Sequence, residues 1–388
     1  MGLEERKRLS QLVDNEMFPP VQLALAYGSG AIQQEGYDQI DGQGLYAGRE
    51  APMLDLILAV KDPVSWHREN LERNPHHYTW AARVAGAARI AKVQCRTTAG
   101  VYYNTLIPMR NVKARGRLMK YGVVAMRDLQ DELLSWRWMY LAGRLHKPVL
   151  FSNNFSPATK FANHSFHSRA SGDLDVDVEE ALQENLVAAM RMALLLLPEK
   201  FNQMDFYMTI AGLSYGGDFR MAFGENPDKV RNIVTPNLSK FEKLYRPILE
   251  MHPDFSQALS LSYDCNATIL SGDSPAKAVS TTPLVPTNVA VQMTSPWICT
   301  QDISKNIRKH HLQHLPASIC PSLSQINTAD DLNQVSQVVA EKLRRLVARS
   351  SVRQSAKGIA TAGVVKSSRY VLAKIGKFAL GWSRRAMV

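Results

Sequence analysis

The order of apolar runs and polar breaks predicts strands in the first half of the chain and helices in the second half. The expected strands cover 21–27, 53–60, 100–107, 117–124 and, as a further candidate, 146–151. The expected helices cover 3–16, 178–197 and 203–214. Asp62 before Pro63 predicts the start of a helix that runs to about Arg73. In the same way, Asp128 predicts a cap for a helix that reaches Ala142, and Asn226-Pro227 predicts the start of another.

The predicted elements suggest an α/β or α+β catalytic domain followed by a smaller helical domain. Three polar stretches, 33–50, 152–176 and 267–300, have the composition of loops. We therefore expect domains at 1–176 and 177–330 and a separate C-terminal segment at 331–388.

Composition places the chain among ordinary globular proteins. Hydrophobic residues make up 45% of its 388 residues and charged residues 21%, which is enough to build a core. No apolar run reaches the roughly 18 residues that a membrane-spanning helix needs, so we expect none. The four cysteines, at 95, 265, 299 and 320, are far apart and are expected to be reduced thiols.

The positive charge of the protein is concentrated at its C-terminal end. Twelve of the 46 Lys and Arg residues, and no Asp or Glu, lie from residue 342 onward, so the first 341 residues hold 34 basic and 35 acidic side chains. A tail of this kind binds anions, either nucleic acid or an anionic membrane surface.

The end of the tail has the pattern of an amphipathic helix. Its apolar positions recur at steps of four, three and four, at Val371, Ile375, Phe378 and Trp382, and the basic residues Lys374 and Lys377 lie among them. Aromatic and basic side chains together suit the interface of an anionic membrane. The alternative is a helix that docks on the body of its own protein.

A tight turn and an acid in the next strand form the first candidate site. Gly28, Ser29 and Gly30 follow a strand, where backbone N–H groups can approach a phosphate closely. Asp55 lies within an apolar strand, and a carboxylate there needs a metal ion or a basic partner. Lys120 on a later strand is the candidate partner, or a ligand of phosphate oxygens. A structural turn and a buried Asp–Lys pair are the alternatives.

A second candidate segment is rich in glycine. Asp218 and Arg220 lie in the sequence GLSYGGDFRMAFGENP at 212–227. They either form a local ion pair in a connection or reach across to the first candidate site.

Several motifs together resemble one family. AYGSG, MLDLILAV with DPVSWHRENL, GVYYNTLI, KYGVV, MYLAGRLHKPV, IAGLSYGGDFRM, NIVTPN and RQSAKGIATAG are similar, in this order, to the mitochondrial CDP-diacylglycerol synthases, which are peripheral phosphatidate cytidylyltransferases. The resemblance extends from residue 26 to the C-terminal tail.

The resemblance implies an α+β fold: a nucleotidyltransferase-type mixed sheet, a mostly helical winged-helix-like domain and a C-terminal amphipathic helix. It implies transfer of the cytidylyl group of CTP to phosphatidic acid with the help of Mg²⁺. The product, CDP-diacylglycerol, would supply cardiolipin and phosphatidylglycerol synthesis. Asp55 would bind Mg²⁺, Gly28, Ser29 and Gly30 would hold the triphosphate, Lys120 would neutralise it, and Asp218 and Arg220 would close the site.

The implied location is the matrix side of the mitochondrial inner membrane, with peripheral attachment to its anionic surface and no nucleic acid as partner. The first twenty residues are more acidic than an ordinary presequence, so the targeting signal is not identified. Two other functions stay open: a nucleotidyltransferase acting on RNA ends, with the tail holding RNA, and a catalytically degenerate membrane scaffold, suggested by the lone Asp55.

Overall fold

The computed structural model describes most of the body of the protein. The described residues are 7, 9–11, 13, 17–32, 52–109, 117–152, 177–223, 226–256, 258–263, 297–301, 304–322, 325–326 and 332–362. The described positions between 3 and 16 are helical, as predicted.

A five-stranded mixed sheet organises the first half of the chain. Its strands are β1 (Leu23–Tyr27), β2 (Leu54–Val60), β3 (Val101–Pro108), β4 (Leu118–Ala125) and β5 (Leu150–Phe151). They lie in the order β3-β4-β2-β1-β5. β2 and β4 are parallel, and the other neighbours are antiparallel. Four predicted strands are confirmed, whereas the segment 146–151 contributes only its last two residues.

Alternation along the strands gives the sheet two apolar faces. Leu54, Leu56 and Leu58 belong to a core on one face, while Ile57 and Ala59 belong to the large core on the other. Because side chains alternate along a strand, Asp55 shares the face of Ile57. That face packs against the helices of the second half, so Asp55 lies where the two halves of the protein meet.

Besides the helical positions between 3 and 16, four helices of the described residues accompany this sheet: α1 (Pro63–Arg73), α2 (Trp80–Arg96), α3 (Met126–Ser135) and α4 (Ala142–Leu145), with a short 3₁₀ helix at Pro75–His77. The predicted N-cap of α1 is confirmed, since the Asp62 carboxylate accepts the N–H groups of Val64 and Ser65 at 3.0 and 3.1 Å. Helix α2 was not predicted.

The predicted role of Asp128 is wrong. Helix α3 begins directly from β4, with Ala125 at the N-cap position, and ends at Ser135, well before Ala142. Asp128 lies inside the first turn, close to Gly100. The helix ends early because Trp136 adopts a left-handed conformation, with φ of 51°.

The second half is mostly helical, as predicted. Its helices are α5 (Val178–Leu196), α6 (Gln203–Gly212), α7 (Arg220–Phe223), α8 (Lys229–Val234), α9 (Leu238–Met251), α10 (Pro253–Ser256) and α11 (Lys305–Gln313). Helix α5 is buried along nearly its whole length. The predicted cap at Asn226 is displaced: Asp228 precedes α8, and Asn226 Oδ1 closes the turn by accepting the Asp228 N–H at 2.9 Å.

A small antiparallel sheet accompanies these helices. Its strands are β6 (Lys200–Asn202), β7 (Leu259–Tyr263) and β8 (Trp297–Gln301), in the order β6-β8-β7. The loop expected at 267–300 therefore ends in a strand, and its residues before 297 lie outside the described part.

A 31-residue helix, α12 (Leu332–Ala362), returns the chain to the body. Val339, Leu343 and Val347 on one side of it are buried in the large core. Within the described ranges, no helix combines the length and apolar character required to cross a membrane. The predicted division into 1–176, 177–330 and 331–388 stays a prediction.

Candidate functional site

A cavity of about 740 Å³ lies between the sheet and the helices of the second half. The sheet side contributes Tyr27, Gly28, Ser29, Asp55 and Lys120. Arg144 on α4 and Lys147 just after it also belong to the first half. The second half contributes Ser214, Tyr215, Asp218, Arg220 and Lys229, and helix α12 adds Val347, Ser350 and Ser351. The cavity is within the size range typical of small-molecule sites.

The glycine turn after β1 forms one edge of the cavity. Gly28 has φ of 71°, and its carbonyl accepts the N–H groups of Ala31 and Ile32 at 3.0 and 2.8 Å. Gly30 approaches the next strand so closely that a Cβ there would lie 2.2 Å from the Met53 carbonyl oxygen. Both positions therefore require glycine, in agreement with the predicted turn.

A buried arginine holds this turn against β2. The Arg117 guanidinium donates to the carbonyl oxygens of Gly30 and Pro52, with Nε and Nη2 at 3.0 and 2.9 Å from the Pro52 oxygen. Burial lowers the pKa of Arg117 to about 10, still far above neutrality, so the side chain stays charged. Arg117 was not predicted as a functional residue, and it fixes the backbone that forms the edge of the cavity.

Asp55 and Lys120 lie side by side on the parallel strands β2 and β4. The Lys120 Nζ is 3.8 Å from Asp55 Oδ1, and their side chains keep 19% and 24% of their surface exposed. The ammonium group also lies 4.4 Å from the ring centre of Tyr103. The predicted proximity is confirmed, and because both side chains remain open to the cavity, the pair is accessible to a ligand.

Asp218 and Arg220 form a two-point ion pair on the opposite side. Arg220 Nε lies 3.0 Å from Asp218 Oδ1, and Nη2 lies 2.6 Å from Oδ2. Burial alone would raise the pKa of Asp218, but the hydrogen bonds and charge of Arg220 outweigh it and lower the pKa. Gly217, with φ of 86°, holds this segment against α12, where a Cβ would lie 2.3 Å from the Arg344 carbonyl oxygen. Asp218 and Arg220 thus form a local ion pair and also line the cavity, so the two alternatives expected for them are both present.

Three further basic residues line the cavity and were not predicted as site residues: Arg144, Lys147 and Lys229. The Arg144 guanidinium lies 3.7 Å from the ring centre of Tyr140 and 5.4 Å from that of Tyr27. Aromatic rings that pack against the guanidinium group restrict the orientation of Arg144. Arg144 and Lys147 both lie in the family motif MYLAGRLHKPV, and this motif was the feature of the sequence that could have indicated them as site residues.

Lys147 combines a low basicity with a fixed position. Its Nζ donates to the Gly143 carbonyl oxygen and lies 2.8 Å from Ser214 Oγ. Burial, together with the neighbouring charges of Arg144 and Lys229, lowers the pKa of Lys147 to about 7. A phosphate group in the cavity would supply the missing negative charge and favour the ammonium form.

The charge of the cavity wall indicates an anionic ligand. Five basic side chains and two carboxylates line it, and one of the carboxylates is already paired with Arg220. A low-dielectric cavity with an excess of positive charge strongly attracts phosphates.

The described part of the chain contains no cluster of three or more His, Cys, Asp or Glu side chains placed to hold a metal ion. Mg²⁺, however, is commonly bound by one or two carboxylates together with substrate phosphates. At Gly28 a Cβ would lie 3.5 Å from Asp55 Oδ2, so the glycine leaves room beside this carboxylate. A Mg²⁺ ion carried by a nucleotide therefore fits the donor set at Asp55.

Comparison with known proteins identifies the family. The family described as "Phosphatidate cytidylyltransferase, mitochondrial" matches residues 9–377. The chain belongs to this family. A Drosophila melanogaster protein of that name is 38% identical over 368 residues, which cover 92% of this chain and 94% of that protein. The proteins of that name from Xenopus laevis and Schizosaccharomyces pombe are 36% and 33% identical, covering 97% and 98% of this chain and 94% and 86% of theirs.

Membership of the phosphatidate cytidylyltransferase family confirms the resemblance. The structure brings Gly28, Ser29, Asp55, Lys120, Asp218 and Arg220 to one cavity, with Gly30 in the adjoining turn. Their roles towards nucleotide and metal stay predictions. The six predicted membrane-binding residues of the tail, between 371 and 382, lie outside the described residues.

Proposed function

We propose that this chain transfers the cytidylyl group of CTP to phosphatidate, forming CDP-diacylglycerol and releasing pyrophosphate. The observation that carries the proposal is the cation-rich cavity: Asp55 and Lys120 face it from the sheet, and Arg144 and Lys147 line it from α4 and the turn that follows α4. Family membership supplies the substrates. We also propose that the product supplies cardiolipin and phosphatidylglycerol synthesis.

The reaction is a displacement at phosphorus. An anionic oxygen of the phosphatidate phosphate forms a bond to the α-phosphorus of CTP, and the bond from that phosphorus to the β-bridging oxygen breaks, so pyrophosphate leaves with the electron pair. Because the attacking oxygen is already negative, no strong base has to remove a proton. The protein must align two polyanions and neutralise their charge.

The basic residues of the cavity perform this neutralisation. Lys120, Arg144 and Lys147 line the same cavity, so they counter the mutual repulsion of the triphosphate and the lipid phosphate. The backbone turn at Gly28 allows phosphate oxygens to approach without contacting a side chain, and Gly30 lets this turn lie close against the backbone of Met53 and Leu54. Asp55 would hold Mg²⁺, which when bound supplies further neutralisation of the phosphates.

The test is pyrophosphate release from CTP and Mg²⁺, with chromatographic identification of CDP-diacylglycerol. Phosphatidate-dependent release is expected for the wild type, and loss on the order of 100-fold for Asp55→Asn. Asp62→Asn is the matched control, because it makes the same change at an N-cap, where Asn serves as well as Asp.

Three results would contradict parts of the proposal. Nucleotide incorporation into RNA without lipid would favour the RNA-end function. Unchanged lipid-dependent release by Asp55→Asn would remove Asp55 from the mechanism, and absence of any release from a folded, CTP-binding protein would favour the scaffold.

We further propose peripheral attachment to the matrix side of the mitochondrial inner membrane through the basic C-terminal segment. Deletion of residues 365–388 should abolish activity on phosphatidate vesicles and leave CTP affinity unchanged. The measurements are the vesicle assay and calorimetric CTP titration of the same protein. Full vesicle activity after the deletion would refute the role of the tail.

A further inference from the structure

Helix α2 exposes apolar side chains. Trp80 and Val84 expose 72% and 67% of their surfaces and are four residues apart, so they are neighbours on one side of the first turns. Val93, in the second half of the helix, is also exposed. An exposed tryptophan beside an exposed valine is unusual on a surface that contacts only water.

Buried residues in the second half of α2 attach the helix to the sheet. Ile90 is buried and packs with Tyr78 and Tyr102, and Gln94 is fully buried. Between the two halves, Gly86 has φ of 76° and ψ of 167°, a conformation essentially restricted to glycine. The break lets the two halves run in different directions while both stay attached to the body.

The exposed positions of α2 are also positively charged. Between Trp80 and Arg96 the helix has four basic residues, Arg83, Arg89, Lys92 and Arg96, and no acidic residue. All four are exposed. On neighbouring α1, Glu69 forms an ion pair with Arg73. We define Trp80, Arg83, Val84, Arg89, Lys92 and Val93 as the α2 surface.

The C-terminal end of α2 is connected to the helix that leads into the basic tail. Lys357 Nζ on α12 donates to the carbonyl oxygens of Gln94 and Thr97 at 3.1 and 2.9 Å. Thr98 Oγ1 donates to Gln354 Oε1 at 2.5 Å. The α2 surface and the start of the tail therefore belong to one connected part of the protein.

We propose that the α2 surface is a second membrane contact, which binds the anionic face of a phosphatidate-containing bilayer. Tryptophan and aliphatic side chains favour the headgroup boundary, and lysine and arginine favour anionic headgroups. The choice of a bilayer rests on the proposed function, whose lipid substrate is held in one. A single tryptophan offers no series of rings for stacking on RNA bases, so RNA fits this surface less well.

The experiment is flotation of the full-length protein with vesicles of phosphatidylcholine alone and of phosphatidylcholine mixed with phosphatidic acid. The test variants are the double substitutions Trp80→Ser with Val84→Ser and Arg83→Gln with Lys92→Gln. The matched control is Leu196→Ser with Met251→Ser, which removes two apolar side chains that are 42% and 45% exposed elsewhere.

Both test variants should bind the mixed vesicles more weakly than the control. The charge variant should lose about fivefold for each cation removed, with little change on phosphatidylcholine alone. Lipids brominated on their acyl chains should quench the fluorescence of the wild type more than that of Trp80→Phe. Activity on detergent-dispersed phosphatidate should be unchanged in every variant, which separates this proposal from the proposed function.

Equal flotation of the test variants and the control, together with equal quenching of wild type and Trp80→Phe, would overturn the proposal. So would unchanged vesicle binding accompanied by loss of a concentration-dependent dimer, which would make the surface a contact between copies. Loss of RNA binding without any effect on vesicles would assign the surface to RNA instead.

Discussion

Gly30 lies so close to the backbone of Met53 that the addition of a single methyl group at this position should lower both stability and activity. In Gly30→Ala the new Cβ would lie 2.2 Å from the Met53 carbonyl oxygen and 2.9 Å from Leu54 Cα. An ordinary contact begins near 3.4 Å, so the backbone must move by about 1.2 Å. Neither side can move easily, because Leu54 is fully buried and Arg117 binds the carbonyl oxygens of Gly30 and Pro52.

The expected cost is about 1–3 kcal/mol of unfolding free energy, the usual range for inserting a methyl group into packed structure. Because a displacement of about 1 Å next to a reacting group lowers rates by roughly 100-fold, kcat/KM for pyrophosphate release should fall to that extent. Urea unfolding and the release assay measure the two effects separately.

Gly212→Ala is the control for this experiment. It lies in helix α6, and apart from its chain neighbours and the backbone of its own helix no atom lies within 4 Å of the added Cβ, so stability should stay the same or rise by about 0.5–1 kcal/mol. If Gly30→Ala unfolds within about 0.5 kcal/mol of the wild type and keeps its kcat/KM, the close approach of the turn to β2 is refuted.

Two further predictions concern protons. Since the pKa of Lys147 is about 7, CTP binding near pH 8 should be accompanied by uptake of a proton, which calorimetry in buffers of different ionisation enthalpy detects. The substitution Lys147→Met should abolish this proton uptake, and the control Lys305→Met should not. Proton uptake that survives in Lys147→Met would contradict the assignment. Burial lowers the pKa of His67 to about 4, so the unfolded chain binds a proton that the folded one excludes, and stability is lost as the pH falls below about 6.5. Urea unfolding of His67→Gln should show a pH slope smaller by about 1.4 kcal/mol per unit between roughly pH 6 and 4.5, and an unchanged slope would contradict the buried neutral histidine.

The parts of the fold that were predictable depend on local chemistry. Asp62 caps α1 because a carboxylate accepts the free N–H groups of the first turn wherever an Asp-Pro pair opens a helix. The turn at Gly28 follows from the need for a positive φ directly after a strand. The proximity of Asp55 and Lys120 was proposed from chemical need, since an acid inside an apolar strand requires a partner, and the strand register provides it.

The parts that were not predictable depend on distant contacts. Helix α2 has small and basic residues and a break at Gly86, so it lacks a clear apolar period, and its inner face becomes evident only when Ile90 meets Tyr102. In the sequence alone, nothing distinguishes Arg117 from a surface arginine. Its role becomes evident only when the fold places the carbonyl oxygens of Gly30 and Pro52 around its guanidinium group. The contact of Lys147 with Ser214 requires the packing of both halves, which no local pattern encodes.

Helix α12 sets the distance between the cavity and Ala362, where the described part of the helix ends. Val347 lines the cavity, and the last described turn of the same helix ends at Ala362, about 22 Å further along at 1.5 Å per residue. Because a helix transmits rotation as well as length, one residue inserted near Gly358 would turn everything beyond it by about 100°. The helix thus acts as a fixed spacer, and its residue count determines both how far from the cavity the helix ends and the direction in which Ala362 points.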